Sequence, residues 1–468
     1  MIVSVANIKR TFNYCKKNGF KQTFYNAAER LLYNKKHKYI YQAPTEEELE
    51  AQRQQTLSYR PLLSIIVPAY ETEPVYMEDL VLSVMEQTYD HFELIIADAS
   101  ESNVVQTMVK GLMEQYDKIV YKRLDHNGGI SVNSNAALEL ATGDYIGLLD
   151  HDDVLTPDAL FHVAKAIADT RKSVGAPVLV YTDEDKTNSY MEYYYEPNIK
   201  CRFNYSMILT NNYVCHLSFY MADVIKSLGF RPEYDGAQDY DLVLRTLLYA
   251  RDKYGKDYKG RMIHVPKVLY HWRCHEASTA QNPESKRYAY DSGLRAIESF
   301  LEASHIKAKV SHLRHLGFYR VDYTDGPIGA REDIGALAGP VCSGNQIIGG
   351  AMDGKGRPIY GGLNVHFSGY LHRAVLQQDV DVADIRNMII SDKLIKTFKK
   401  ATGYDYPLDK SLLKDTYTEE ENSLFVKKSL QFCNKLKEQG IGIMYEPKLG
   451  NEYYNSDAEK ETKVEDEA

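Results

Sequence analysis

The stretch Asp144-Tyr-Ile-Gly-Leu-Leu149 runs directly into Asp150-His-Asp-Asp153. An apolar run of this length predicts a buried β-strand. In an open α/β sheet, ligands bind at the carboxyl ends of the strands, and this strand places its carboxylates there. Clustered carboxylates repel one another unless a cation lies between them. Mg²⁺ or Mn²⁺ prefers oxygen ligands and bridges to phosphates, so the stretch predicts a metal-nucleotide site.

Strand and helix patterns alternate before this strand. In chain order, the predicted strands and helices are 63–70, 77–87, 92–98, 104–116, 119–124, 134–141 and 144–149. Regular alternation of this kind predicts a largely parallel sheet with helices on both faces. The first strand is followed by no GxGxxG, and the chain contains no GxxxxGK[ST]. The sequence therefore disfavours a dinucleotide-binding fold and a P-loop fold.

Composition indicates a globular protein of two or three domains. The chain has 468 residues, of which 44% are hydrophobic and 26% are charged. It has no apolar run of about 18 residues, the length of a membrane-spanning helix. Met1–Arg10 lacks the pattern of a signal peptide. Six cysteines without a CxxC pair favour a reducing cytoplasm and argue against a zinc or disulfide framework.

The two ends of the chain carry opposite charge. Residues 1–42 hold nine Lys/Arg against one acid, Glu29, and their apolar residues recur at roughly helical spacing. A basic amphipathic helix can lie on an anionic membrane surface, which would place the protein at the inner face of the cell membrane. Alternatively, the helix packs on the protein and its basic face is solvated. The acidic segment 456–468 is predicted to be disordered.

The chain has four DxD pairs, at 150/152, 183/185, 239/241 and 379/381. Only the first directly follows a strong apolar strand, and Asp379 and Asp381 are predicted to be solvated. Asp183 and Asp185 either line the same cleft or belong to a loop. Asp239 and Asp241 lie near a predicted helix start, where first-turn acids stabilise the helix dipole. A general base is the other interpretation of Asp239, and spacing does not decide between the two.

Two further segments have both a structural and a functional interpretation. His271-Trp-Arg273 follows a predicted strand and combines a potential metal ligand with a cation suited to phosphate, but a His and a Trp at a strand end also pack in cores. The turn His126-Asn-Gly-Gly-Ile130 either approaches a phosphate or sugar closely or is an ordinary loop.

Taken together and in order, these motifs resemble the nucleotide-sugar-dependent glycosyltransferases of family 2, which have the GT-A fold. The resemblance covers about residues 61–320 and is nearest the rhamnosyltransferase-like branch that builds bacterial surface polysaccharides. The matching segments are 64–71, 83–89, 93–100, 127–131, 134–136, 143–153, 181–186, 236–241, 270–273 and 278–280.

The resemblance implies roles for individual residues. Asp239 would be the catalytic base. The metal, Mg²⁺ or Mn²⁺, would be held by Asp152, Asp150 and His271. The acceptor or phosphate side would include Gln238, Trp272 and Arg273. The nucleotide-sugar would be bound by Pro68, Ala69, Tyr70, Glu71, Asp98, Asn127, Gly128, Asp150 and His151.

The resemblance also implies the reaction. An inverting transferase would move a sugar from dTDP-rhamnose or a UDP-sugar to a hydroxyl of a growing, lipid-linked polysaccharide. No nucleic-acid partner is expected, and a homo-oligomer is left open. The alternatives are a catalytically inactive scaffold derived from a transferase and a nucleotidyltransferase, for which the first strand lacks a glycine- and lysine-rich triphosphate loop.

The sequence departs from the family at two places. Ala97 precedes Asp98 where relatives often have a second acid, and Glu196-Pro-Asn198 stands where relatives usually have Lys-Pro-Asp. The second departure bears on acceptor contacts more than on donor chemistry.

The predicted fold class is α/β. It comprises a mixed, mainly parallel GT-A sheet, a helical N-terminal region and a smaller C-terminal α/β segment. The predicted segments are 1–60, 61–320, 321–455 and 456–468. The third resembles the rear half of a second GT-A module without its nucleotide-binding half, or else is a small independent fold.

Overall fold

The computed structural model describes residues 5–36, 39–275 and 287–450. Segments 278–280 and 456–468, which carried a motif and the predicted disordered tail, lie outside the described residues. The α-helices are α1 (Val5–Lys36), α2 (Glu46–Gln54), α3 (Pro74–Met85), α4 (Val104–Met113), α5 (Ile130–Leu140), α6 (Ala159–Ser173), α7 (Tyr205–Ile208), α8 (Ala222–Leu228), α9 (Gln238–Tyr254), α10 (Arg287–Ala303), α11 (Gly326–Ala330), α12 (Ile395–Thr402) and α13 (Glu419–Glu438).

The β-strands of the described residues fall into five sheets. In chain order they are β1 (Leu63–Ala69), β2 (Phe92–Asp98), β3 (Ile119–Arg123), β4 (Tyr145–Leu148), β5 (Val154–Leu155), β6 (Leu179–Asn188), β7 (Tyr194–Asn198), β8 (Ser218–Met221), β9 (Met262–Cys274), β10 (Ala308–His312), β11 (Tyr319–Tyr323), β12 (Ile334–Ala338), β13 (Val341–Ser343), β14 (Gln346–Gly349), β15 (Ala351–Met352), β16 (Gln378–Val380), β17 (Val382–Ala383), β18 (Met388–Ile390) and β19 (Gly442–Tyr445).

The chain divides into two compact units. The sheet unit comprises Tyr39–Phe203 and Asn211–His305, and the second unit comprises Met1–Lys38, Asn204–Thr210 and Ile306–Ala468. The division into four segments made from the sequence stays a prediction.

A nine-stranded mixed sheet forms the centre of the sheet unit. Its order is β3-β2-β1-β4-β8-β6-β9-β5, with β7 paired to β6. The first four strands in this order are parallel, β8 is antiparallel to both of its neighbours, and β6 and β9 are parallel. Parallel strands carry their carboxyl ends to one edge, so the segments after β1, β2 and β4 meet there.

Burial explains why the front of this sheet forms where the sequence predicts it. Six of the seven residues of β1 are buried, as are six of the seven of β2. Near-continuous apolar runs are typical of parallel strands covered on both faces. The helix α3 covers the sheet with Met77, Leu80, Val81 and Val84.

Local side-chain hydrogen bonds fix where α2 and α6 begin. The helix α2 starts with a capping box between Thr45 and Glu48. Thr156-Pro157-Asp158 has the residue types of a helix start, but α6 begins only at Ala159. The Thr156 hydroxyl donates to the Asp158 carboxylate at 2.8 Å, which holds these residues outside the helix.

The second unit is a smaller α/β assembly. Its main sheet has the order β16-β19-β12-β18, and β12 and β19 are parallel. The helices α12 and α13 pack through Phe398, Phe425 and Phe432 into one core with this sheet. The predicted α/β fold class, with its smaller C-terminal α/β segment, is therefore confirmed. Among the described helices, none is long and apolar enough to span a bilayer.

Candidate active site

The first part of the site comes from the pairing of β4 with β8. These strands are antiparallel, and Leu148 lies opposite Ser218. Two residues further along, Asp150 and His216 therefore face each other across the strand ends. The His216 Nε2 lies 3.8 Å from the Asp150 Oδ2. The Asp150 side chain is 44% exposed and that of His216 is 14% exposed, so the pair opens toward solvent.

Asp153 adds a buried carboxylate to this pair. Its oxygens accept hydrogen bonds from the Tyr270 hydroxyl and, at 2.7 Å, from the Arg273 backbone N–H. Burial raises the pKa of Asp153 well above its usual range, and the nearby charges of Asp152 and Asp150 raise it further.

The donor set suits a divalent cation. One ligand atom each from Asp150, Asp153 and His216 lies within 4.8 Å of the others. Carboxylate oxygens suit both Mg²⁺ and Mn²⁺. An imidazole nitrogen is a better ligand for a transition metal, so between these two ions it favours Mn²⁺. A cation would also relieve the repulsion between the two carboxylates.

His216 is a site residue that the sequence analysis missed. Its ring stacks on Tyr270 at a centroid distance of 4.7 Å and meets the edge of Trp272 at 5.8 Å. Its only sequence signal is its place just before a short strand, and that signal gains meaning only once β8 is known to pair with β4.

A buried ion pair holds the backbone around His216. The Lys200 Nζ donates to the Glu184 carboxylate at 3.0 Å and to the Val214 carbonyl at 2.6 Å, and it also donates to the His216 carbonyl. The same Glu184 carboxylate accepts the His216 backbone N–H at 3.0 Å. Both charges of the pair are thus used to fix the chain on either side of the imidazole.

Asp239 lies in the first turn of α9 and is half-buried. Its Oδ2 accepts a hydrogen bond from the Asn212 amide at 2.7 Å. Burial raises the pKa of Asp239, the charge of Asp150 adds to the rise, and His216 opposes it. Asp239 therefore shares its electrostatic surroundings with the Asp150–His216 pair, and its raised pKa is a property expected of a general base.

Asp241, two residues further along, has different surroundings. Its buried carboxylate accepts hydrogen bonds from Arg231 and from Arg245, the latter at 2.8 Å. The structure thus separates the two acids of this DxD: Asp239 lies near the Asp150–His216 pair, and Asp241 lies in an arginine-lined ion-pair network.

At the ends of β1 and β2, backbone and side chains form a turn rich in polar groups. Glu71 adopts φ +47°, which is uncommon for a residue other than glycine. Its carboxylate accepts the N–H groups of Glu101 and Ser102 at 2.6 and 2.8 Å, and these bonds lower its pKa. Buried Asp98 accepts the Tyr121 hydroxyl at 2.6 Å and the Arg123 guanidinium at 3.1 Å.

The other residues predicted to bind the nucleotide-sugar lie around this edge. Pro68 and Ala69 end β1, and Tyr70 is exposed just beyond. The His151 Nδ1 lies 2.9 Å from the Thr72 hydroxyl. The Asn127 Oδ1 accepts the Gly129 N–H at 3.1 Å in the loop before α5, and Gly128 lies between them. The roles of all these residues stay predictions.

Three predicted metal or phosphate residues make their contacts away from the Asp150–His216 pair. The His271 Nδ1 bonds to Asp185 at 2.5 Å, and the Asp152 carboxylate bonds to His275 at 2.8 Å. The Arg273 guanidinium is buried and donates to Asp79 at 2.9 Å. Of the acceptor-side residues, Trp272 lies against His216, and Gln238 accepts the Gly236 N–H at 2.9 Å.

Comparison with known proteins identifies the family of this region. Residues 64–229 match the family described as glycosyl transferase family 2. The chain is 35% identical over 246 residues to the uncharacterized protein y4gI of Sinorhizobium fredii, covering 52% of this chain and 25% of that protein. It is 28% identical over 269 residues to the O-antigen biosynthesis protein RfbC of Myxococcus xanthus, covering 57% and 20%. It is 27% identical over 229 residues to chondroitin synthase of Escherichia coli, covering 48% and 31%.

These relatives are much longer than the matched region. The chain spans between a fifth and about a third of their length. Among solved structures, S. aureus TarS 1–349 in complex with UDP-GlcNAc aligns at 19% identity with a TM-score of 0.39, covering 51% of this chain and 66% of that one. The assignment therefore relies on the family match. Residues 64–229 match glycosyl transferase family 2, as the ordered motifs predict.

Proposed function

We propose that this chain is an inverting glycosyltransferase that moves a sugar from a nucleotide-diphospho-sugar to a hydroxyl of a cell-surface polysaccharide. The observation that carries the proposal is the neighbourhood of Asp150, His216 and Asp239 in a family 2 domain. It combines a carboxylate–imidazole pair suited to a metal with a separate carboxylate whose pKa is raised.

The two acids would do different work in this reaction. An acceptor hydroxyl is a poor nucleophile, and a nearby carboxylate that takes its proton makes it a better one. Asp239 is suited to that step because burial raises its pKa and Asn212 fixes the orientation of its carboxylate. A bound Mg²⁺ or Mn²⁺ would supply charge stabilisation for the departing diphosphate, held by Asp150, with His216 and Asp153 completing the donor set.

Inversion follows if the base and the leaving group lie on opposite sides of the sugar. A single in-line displacement inverts the anomeric centre, and it needs one carboxylate base rather than a second carboxylate placed to attack the sugar. Asp241 does not supply that second carboxylate, because its oxygens are engaged by Arg231 and Arg245.

The nucleoside is proposed to bind at the ends of β1 and β2. Asp98 and Glu71 are positioned there by hydrogen bonds that fix both carboxylates. dTDP-rhamnose or a UDP-sugar is the proposed donor, on the resemblance alone. The proposed acceptor is a polysaccharide carried on a lipid. The names of RfbC and chondroitin synthase support the polysaccharide, since both proteins are named for the synthesis of one.

A donor panel tests the proposal directly. Purified full chain is incubated with dTDP-rhamnose, several UDP-sugars and GDP-mannose, with Mn²⁺, Mg²⁺ or EDTA, and the released products are identified. We expect metal-dependent release of a nucleoside diphosphate from one donor. In a parallel incubation with nucleoside triphosphates, release of pyrophosphate would instead indicate a nucleotidyltransferase. Donor binding without turnover, even with added glycan acceptors, would indicate an inactive scaffold.

A further inference from the structure

The helix α1 presents an exposed apolar stripe. The helix is interrupted at Gly19, which has φ +79°, so its second part begins at Phe20. In that part, Phe20, Phe24 and Leu31 are 81%, 61% and 54% exposed. Ala27 is exposed as well. Residues spaced by four, three and four fall on one face of a helix. These four residues are called the apolar stripe below.

Basic residues flank the apolar stripe. Lys21 and Arg30 are exposed and lie about 100° and 80° to either side of Phe20, at the helical rotation of 3.6 residues per turn. Glu29 is the only acid in α1, against eight basic residues: Lys9, Arg10, Lys16, Lys17, Lys21, Arg30, Lys35 and Lys36. The helix is therefore strongly cationic around the stripe.

The opposite face of the same helix is already in use. The Tyr25 ring stacks on His366 at a centroid distance of 4.2 Å. The Glu29 carboxylate accepts the backbone N–H groups of Ser368 and Gly369 at 3.0 and 2.6 Å. Tyr25 and Glu29 lie about 140° and 180° from Phe20 around the helix axis. One face of the helix is thus bound to the rest of the second unit, and Glu29, the only acid of α1, takes part in that contact.

We propose that the apolar stripe of α1 binds an anionic lipid surface, with the helix lying in the plane of the membrane. Phenylalanine and leucine on one face, flanked by lysine and arginine, match a surface whose interior is apolar and whose headgroups are negative. A nucleic acid would match the charge but not the exposed aromatic and aliphatic side chains. The inference is independent of the proposed transferase activity and goes beyond it, since it concerns where the chain docks.

The test is co-sedimentation of the full chain with vesicles of phosphatidylcholine alone or mixed with phosphatidylglycerol. We expect binding to the mixed vesicles only, weakened by added salt. The triple variant F20S/F24S/L31S removes the apolar side chains, and we expect a loss of at least about 100-fold in partitioning. Its matched control, I389S/L424S, replaces exposed apolar residues elsewhere in the second unit and should bind like the wild type.

A charge variant keeps the proposal testable if the triple variant folds poorly. K16E/K21E leaves the apolar stripe intact and should weaken binding about fivefold or more for each lysine lost. K396E/K400E, which changes two exposed lysines of α12, is its control. The proposal is overturned if the wild-type protein does not bind the mixed vesicles. It is also overturned if each variant binds them as strongly as its control does. A dimer that F20S/F24S/L31S converts to monomer also overturns it, by assigning the stripe to a second copy. Donor turnover in solution is measured separately, so failure here leaves the proposed activity untouched.

Discussion

Replacing Asp239 with asparagine separates the proposed base from the rest of the site. Aspartate and asparagine side chains have nearly the same shape. In the wild type the Asn212 amide donates to the Asp239 Oδ2 at 2.7 Å, and the amide oxygen of an asparagine at 239 can accept the same hydrogen bond. Only the ability to take a proton is lost. General-base catalysis contributes about 10²–10⁴ in rate, so we expect kcat for transfer to fall by that factor, or about 3–5 kcal/mol in activation free energy.

The raised pKa gives the same variant two further signatures. In the wild type, transfer should decline on acidification at a pH above the ordinary pKa of aspartate, about 3.9, because the base is lost as it protonates. Because the folded state binds this proton more tightly than the unfolded state, Asp239 lowers stability at neutral pH relative to acid pH. Asp239→Asn removes that penalty, so the variant should be no less stable than the wild type at pH 7.

The assay measures transfer, donor binding and thermal unfolding on the same preparations. Asp223→Asn is the control, because Asp223 is also a first-turn acid of a helix but is exposed on α8. We expect donor affinity and Tm to be retained in both variants and transfer to be lost in Asp239→Asn alone. Transfer within about threefold of the wild type in Asp239→Asn would refute the base assignment, since that is far below a general-base contribution.

Three other changes test the surroundings of the site. Asp241→Asn should lower the free energy of unfolding in urea by about 3 kcal/mol, since it leaves Arg231 and Arg245 without their shared carboxylate. An unchanged unfolding midpoint would contradict a structural role for Asp241. His216→Asn should weaken Mn²⁺ binding by on the order of 100-fold, as measured by titration calorimetry. His91→Asn, which changes an exposed histidine, is the control. Equal Mn²⁺ affinities of the two variants would show that His216 is not a metal ligand. Lys200→Met should lower the free energy of unfolding by about 3–5 kcal/mol, because Glu184 is left buried without its partner. The double variant Lys200→Met/Glu184→Gln should recover part of that free energy. A Lys200→Met protein within about 1 kcal/mol of the wild type would contradict this role of the ion pair.

The parts of the fold that were predicted well are those set by local pattern. The strands β1 and β2 are within one residue of their predicted ends because their residues are almost all buried, which leaves a continuous apolar run in the sequence. The start of α13 is set by another local pattern. The helix begins at Glu419 after a capping box between Thr418 and Glu421.

The composition of the site depends on long-range pairing that no local pattern reveals. Asp150 meets His216 because β4 pairs with β8, which is about 70 residues away in the chain. Similarly, β9 extends from Met262 to Cys274, and successive side chains of a strand point to opposite faces of the sheet. Tyr270 and Trp272 therefore contact His216, whereas His271 contacts Asp185. The sequence singled out the segment His271-Trp-Arg273 but not which of its side chains face the acids.

The departure from the family at Glu196-Pro-Asn198 has a local counterpart on the neighbouring strand. The Glu196 carboxylate accepts a hydrogen bond from Lys186 at 2.9 Å, and the Asn198 amide donates to the Glu184 carboxylate at 3.1 Å. An aspartate at 198, the residue that the resemblance leads us to expect, would place a second negative charge against Glu184, which already balances Lys200 and accepts the His216 N–H. An amide at this position instead adds a donor to that carboxylate. Asn198 therefore belongs to the hydrogen-bond network of Glu184 and Lys200 that positions His216. The residue at 198 thus bears on the proposed metal side of the site as well as on the acceptor side.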